Sequence, residues 1–208
     1  ENLKEVELDF SNFTHNTQLF FFPNNNVEVT PKEIIVHQRG DTAFNHYVWE
    51  ENVLKHNFKP LPDMFKLTCL DKENNLYDID VLDCKSSPIF GYVINTSRLH
   101  WRKEMEERFE DNPEEAKAYA EKHRFCINGE GLTEDEIREQ KQNLANKIFA
   151  IGYMLHRFKS PSRAWAPQAM DNKIGENGEC NGRSGKSFLF KTLSLFMKSV
   201  KLSGRNPK

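Results

Sequence analysis

The segment Gly175-Glu-Asn-Gly-Glu-Cys-Asn-Gly-Arg-Ser-Gly-Lys-Ser187 constrains this chain more than any other. Four of the ten glycines fall within its thirteen residues, and it closes on Gly185, Lys186 and Ser187. Glycines let successive backbone N–H groups turn inward with no Cβ in the way. Such a loop, with the first turn of the helix after it, makes an anion cradle. In that arrangement Gly182, Ser184 and Gly185 form the cradle, Lys186 reaches the β- and γ-phosphates of a nucleotide, and Ser187 holds Mg²⁺ through the nucleotide. The flanks agree with this reading. Arg163-Ala-Trp-Ala-Pro-Gln-Ala-Met170 reads as a short strand, with Pro167 confining it to an edge or a strand start. Ser187 to Val200 is apolar at 188, 189, 190, 193, 195, 196, 197 and 200, the pattern of a helix with a wide buried face.

The spacing departs from G-x-x-x-x-G-K-[ST] at one place. Cys180 stands where the first glycine would, between Gly178 and Gly182. The competing reading is a Gly/Asn-rich surface loop that ends in a lysine by chance. Charge is also distributed unevenly. From Asn181 to Lys208 there are seven basic residues and no acidic one, whereas residues 1–180 carry 22 basic against 31 acidic. A basic stretch around a phosphate loop suits nucleotide or nucleic acid. A nucleotide motor also needs a downstream acid for its metal and a group that positions water. Only 22 residues follow Lys186, so the sequence reads as the front part of an NTPase.

The first 82 residues read as β-rich. Thr17-Gln-Leu-Phe-Phe-Phe22 is an apolar run, Pro23 to Asn26 is turn chemistry, and Val27 to Thr30 alternates, predicting a hairpin continued by Ile34 to Val36. A second pair is expected from Met64–Leu70 and Leu76–Val81 around the polar 71–75 segment. Residues 86–158 read as helical. Phe90 to Ile94 follows Ser86-Ser-Pro88, and Arg98 to Glu110 reads as a charged amphipathic helix. Asn112 caps a third with Pro113 at its first position. Thr133-Glu-Asp-Glu136 is a capping box that opens a long helix to about Arg157. Its apolar face, Ile137, Leu144, Ile148, Phe149, Ile151, Met154 and Leu155, broadens toward the C-terminal end, which is therefore expected to be the better buried one. The predicted fold class is α+β. A front domain, 1–160, precedes the strand, loop and helix (161–208) that begin an α/β P-loop NTPase domain.

Two other groupings carry chemistry. Asp78 and Asp80 stand two apart on a predicted strand, so both carboxylates share a face and could share a divalent metal for nucleotidyl transfer, with His100 facing an incoming nucleotide. The plain alternative is the solvent face of an amphipathic strand. His100, Trp101, Arg102 and Lys103 group a base, a ring and two cations, a stacking platform for single strands. The alternative there is a core tryptophan with solvated charges. Cys69, Cys84, Cys126 and Cys180 form no C-x-x-C and read as reduced thiols of a cytoplasmic protein. Cys69, Cys84 and a histidine lack zinc-ligand spacing. No run of eighteen apolar residues exists, so no membrane partner is expected.

Several pieces in their order resemble a known family. Ile151-Gly-Tyr-Met-Leu-His-Arg-Phe-Lys159, a Ser/Pro loop, Ala169-Met-Asp-Asn-Lys-Ile174 and the Gly-Lys-Ser loop are similar to the entry of the ATPase of phage and mobile-element primase–helicases, in the superfamily 3 helicase group. Thr17–Thr30, Val48-Trp-Glu-Glu-Asn-Val53 and Asn95-Thr-Ser97 resemble earlier landmarks of the same proteins. The resemblance implies ATP and Mg²⁺ as cofactors, with binding carried by Gly182, Gly185, Lys186 and Ser187. It also implies a homo-oligomeric ring in the complete protein, moving along single-stranded DNA during replication, with residues 1–160 as an adaptor before the motor. The family's acidic metal residue, arginine finger and DNA-contacting loop have no counterpart here. Three functions are thus open: an ATPase portion that binds nucleotide without turning it over, a nonenzymatic DNA-binding adaptor, or a nucleotidyl transferase centred on Asp78 and Asp80.

Overall fold

A computed structural model describes residues 8–169 and 186–200, with Lys186 described in its backbone alone. The fold is mixed α+β, with two small antiparallel sheets and several helices. No helix among the described residues is long and apolar enough to cross a membrane. The chain forms two compact units: the described residues of Glu1–Pro60, Gly152–Pro167 and Phe190–Lys208, and those of Leu61–Ile151 and Gln168–Leu189. Their division at Pro60 and at Ile151 differs from a division near residue 160.

The first unit is built on a three-stranded sheet, β1 (Gln18–Phe21), β2 (Asn25–Val29) and β3 (Ile34–Gln38), in that order. Phe20 pairs with Val27, and Val27 with Val36. Leu19, Phe21, Phe22 and Val27 are buried. The turn between β1 and β2 is held by Asn24, whose side-chain amide donates to the Phe58 carbonyl at 2.9 Å and accepts from the Phe58 N–H at 2.8 Å. An asparagine side chain thus stands in for a backbone pair. Gln18 is buried because both ends of its amide are used: Nε2 donates to the carbonyls of Asn12 and Leu19, and Oε1 accepts from Arg157 N–H at 2.8 Å. Buried amides satisfied in this way cost the fold little.

In the second unit β4 (Phe65–Asp71) pairs with β5 (Leu76–Val81), with a register shift between Cys69 and Asp71. Asp71 closes the turn by accepting from Glu73 and Asn74 N–H groups, and Asn75 takes a positive φ of 52°. Three helices come next. Helix α1 (Pro88–Asn95) is capped by the Ser87 hydroxyl with proline at its start. Helix α2 (Pro113–Lys122) is capped by Asn112, as its sequence predicts. Helix α3 (Glu134–Leu155) opens with the reciprocal bonds of the Thr133–Glu136 box. The core consists of Ile79, Phe90, Val93, Ile94, Ile127 and Leu144. Ile79, Ile94 and Leu144 have no exposed surface, and burying side chains of this size contributes roughly 1.5–3 kcal/mol each.

Four local expectations are corrected. The apolar face of α3 is buried in the middle, at Gln140, Leu144 and Ala145, and not at its C-terminal end, where Phe149 is 60% exposed. The reason is Gln140, whose amide bonds the Ile127 carbonyl and the His100 N–H and draws that turn inward. The segment 98–110 is not a regular α-helix with solvated charges. It contains a π-helical turn, Arg102–Glu107, and buries Arg98 and Glu104; such wide turns re-aim side chains inward. Residues 164–169 form no strand. Pro167 cannot donate to a ladder, and the Trp165 N–H goes to the Tyr153 hydroxyl at 2.8 Å. Helix α4 spans Lys186–Leu193 and not 187–200. Beyond it the backbone tightens into i→i+3 bonds, and the Ser194 hydroxyl takes the Lys191 carbonyl at 2.7 Å, a side-chain bond that competes with the helical ladder.

Candidate functional site

Gly182, Ser184 and Gly185 lie outside the described residues. Immediately after them α4 opens at Lys186, with Ser187 exposed in its first turn. That turn carries no acidic residue, so nothing in it repels an anion. The first N–H groups of a helix have no intrahelical partner and point toward whatever precedes them. The start of α4 is anchored from within its own unit. Phe188 meets Tyr92 of α1 edge-on, 4.8 Å between ring centres, and Leu189 packs against the core. Burial raises the Tyr92 hydroxyl above its ordinary pKa. The two apolar residues after Ser187 therefore fix the start of α4 against its own unit.

Asp78 and Asp80 do share a face, as their spacing on β5 predicts. A side chain from α3 joins them. Lys141 Nζ lies 2.8 Å from Asp78 Oδ1 and 3.8 Å from Asp80 Oδ1. The hydrogen bond from Lys141 holds the Asp78 carboxyl below its ordinary range, against a smaller opposing effect of burial. Asp78 also accepts the Ile79 N–H at 2.9 Å. The fold thus supplies this pair with its own cation at the place where a divalent metal would sit. Among the described residues no group of three His, Cys, Asp or Glu side chains stands close enough to hold a metal ion. Cys69, Cys84 and Cys126 are free thiols. Lys141 was invisible to sequence reading because it stands 63 residues from Asp78; the one available signal was its place on the helix one turn before Leu144.

The basic group at 100–103 is likewise committed to α3. His100 Nε2 lies 2.8 Å from Glu139, and Lys103 Nζ bonds both oxygens of Glu136 at 2.7 and 2.8 Å. Glu136 is pushed down to about 2, first by Lys103 and then by the Thr133 N–H. Arg102 pairs with Glu106 on the surface at 3.2 Å. A polyanion approaching this face would have to displace carboxylates from the cations.

Behind it lies a buried polar network that sequence reading missed. Arg98 is bonded to Glu104, both side chains almost wholly buried, and its guanidinium lies 4.2 Å over the Trp101 ring. The Tyr119 hydroxyl donates to Glu104 at 2.8 Å and accepts the Glu130 N–H at 3.0 Å. Burial, then the bond to Glu104, raises Tyr119 to about 12. Gly129 backs the carboxylate: a Cβ there would come within 2.6 Å of Glu104 Cδ and Oε2. A further buried cation, Lys147, bonds the carbonyl and hydroxyl of Thr96 at the end of α1, and burial lowers it to about 8. A lysine there satisfies the last carbonyls of α1 and complements its dipole. Arg98, Glu104 and Tyr119 bond one another, and Lys147 bonds the end of α1, so these groups act within the fold. The chain matches no protein-family profile, no curated protein and no solved structure.

Proposed function

We propose that this chain is the ATP-binding portion of a DNA-replication primase–helicase of the superfamily 3 type. The observation that carries the reading is the start of α4 at Lys186, immediately after the glycine segment, with an exposed Ser187 and no acid in its first turn. The residues present fit ATP and Mg²⁺. The free amides of the first turn and the Lys186 ammonium would bind phosphate oxygens, and the Ser187 hydroxyl would face the metal. The nucleotide supplies the phosphoryl group whose transfer drives such motors. On this reading the chain supplies the nucleotide-binding part of the motor. The helices and β4–β5 hairpin of unit two and the sheet of unit one serve as the adaptor ahead of the motor. In the complete protein the same reading implies a cytoplasmic homo-oligomeric ring on single-stranded DNA.

The test is calorimetric titration of the 208-residue chain with ATP and Mg²⁺. Weak binding that disappears in Lys186→Ala is expected. Equal affinity in the two proteins would remove the nucleotide site, and a steady ATPase rate would show that a group elsewhere completes it. The transferase reading is tested separately: Mn²⁺ affinity that depended on Asp78 would revive it, and the position of Lys141 argues that none will be found.

A further inference from the structure

The first unit carries an exposed aromatic cluster that none of the chemistry above uses. A parallel bridge between Asp9 and His46, with the Tyr47 N–H donating to the Asp9 carbonyl at 2.7 Å, lays residues 8–10 beside 46–49. Phe10 stacks on Trp49 with ring centres 5.0 Å apart and planes 14° apart, and lies 6.0 Å from the Tyr47 ring. Trp49 is 64% exposed, and Phe10 and Tyr47 are 40% exposed each. Phe10 therefore takes one face of the indole and leaves the other open. Large rings are seldom gathered on a surface without a partner to cover them.

The charge around this platform is acidic. Asp9 precedes Phe10, and Glu50 and Glu51 follow Trp49 in a short 3₁₀ turn, Glu50–Asn52. The bridge pairs Asp9 with His46 at 3.2 Å. Glu51 already draws a cation, Lys198, to 3.6 Å, although both side chains are at least three-quarters exposed. The second unit shows what a ring and a carboxylate do together in this protein. There the Arg98 guanidinium lies over Trp101 and bonds Glu104. Trp49 is likewise followed by carboxylates, Glu50 and Glu51, in sequence, and no arginine lies over its ring among the described residues.

We infer that the Phe10–Tyr47–Trp49 platform is a docking site for an arginine-bearing extended segment of another protein. The planar guanidinium stacks on the open face of Trp49, and Glu50 and Glu51 supply the countercharge. A nucleic acid strand also stacks on exposed rings, but here Asp9, Glu50 and Glu51 accompany the rings and the cation Lys198 is already drawn to Glu51, whereas such binding relies on free cations beside the rings. Charge complementarity thus selects a cationic peptide.

The experiment is isothermal titration calorimetry of the whole chain with a hexapeptide of alternating arginine and glycine, run at low and high salt beside a decathymidylate. The peptide is expected to bind, and Trp49→Ala to weaken it by about tenfold. Glu50→Gln with Glu51→Gln is expected to weaken it several-fold and to flatten its salt dependence. Both variants change exposed side chains, and unchanged thermal melts identify them as folded. Peptide affinity indifferent to Trp49→Ala, or no peptide binding at all, overturns the proposal. So does decathymidylate binding that Trp49→Ala abolishes, which would make the platform a nucleic-acid site.

Discussion

Lys141 and Asp78 join α3 to β5 through a bond of 2.8 Å, at a point where the lysine is largely shielded from water. Replacing Lys141 with methionine leaves Asp78 and Asp80 facing each other without a cation. The expected loss is about 1 kcal/mol, in the range of a partly buried ion pair, read as a lower midpoint in urea. Asp78→Asn should cost a similar amount, and the double variant less than the two together. Additive losses would show that the pair is not coupled.

The Arg98–Glu104 pair is expected to be the most sensitive polar contact of the chain. Glu104→Gln leaves a guanidinium buried without its charge partner, which costs about 3–5 kcal/mol. Arg98→Met with Glu104→Leu removes both charges and should be less harmful than Glu104→Gln alone. Tyr119→Phe removes the acceptor of the Glu130 N–H and should cost roughly 1–2 kcal/mol. Thermal unfolding monitored by circular dichroism orders the four proteins.

Stability should rise as pH increases from about 8, because burial lowers Lys147 to about 8 in the fold while an unfolded lysine titrates near its ordinary value of about 10.4. Between those two values the unfolded chain binds a proton that the folded chain has released, and by linkage the fold gains. Tyr119 acts in the opposite sense. Raised to about 12, it keeps its proton in the fold when the unfolded chain has lost it, so stability falls above about pH 10. Urea midpoints across this range should pass through a maximum in the native chain. In Lys147→Met the rising limb should vanish, and in Tyr119→Phe the falling one should shrink.

Acid should act through Glu136. Its carboxyl is held down to about 2 by Lys103 and Thr133, so its contribution is whole above the ordinary value of 4.5 and is lost as pH falls toward 2. The side chain bonds both the helix start and the π-helical turn. Acid unfolding of Glu136→Gln should therefore begin from a lower stability and depend less on pH in this acid range than that of the native chain. An unchanged acid limb would remove Glu136 from this role.

Local signals were legible in the sequence. The Thr133–Glu136 box, the Asn112–Pro113 start and the polar turn at 71–75 each act within a few residues, and each lies where its chemistry places it. Longer-range relations were not. Arg98 and Glu104 look like solvent-facing charges until Tyr119 and Gly129 are brought beside them. Asp78 and Asp80 look like metal ligands until Lys141 arrives from another element. The apolar residues after Arg163 resemble a strand, but a strand is defined by a neighbour, and theirs is supplied by the Tyr153 hydroxyl at Trp165. A helix does begin near Ser187, as the apolar pattern predicts, and it ends early, where the Ser194 hydroxyl bonds the Lys191 carbonyl.

Gly129 gives the Glu104 carboxylate its room, and any Cβ at 129 would overlap it. The two positions therefore behave as one inherited character. Descendants of this sequence can enlarge residue 129 only if residue 104 is shortened and Leu132, 2.7 Å from the same Cβ, gives way, and shortening 104 would strand Arg98. Drift at either position should be slow, and paired when it comes.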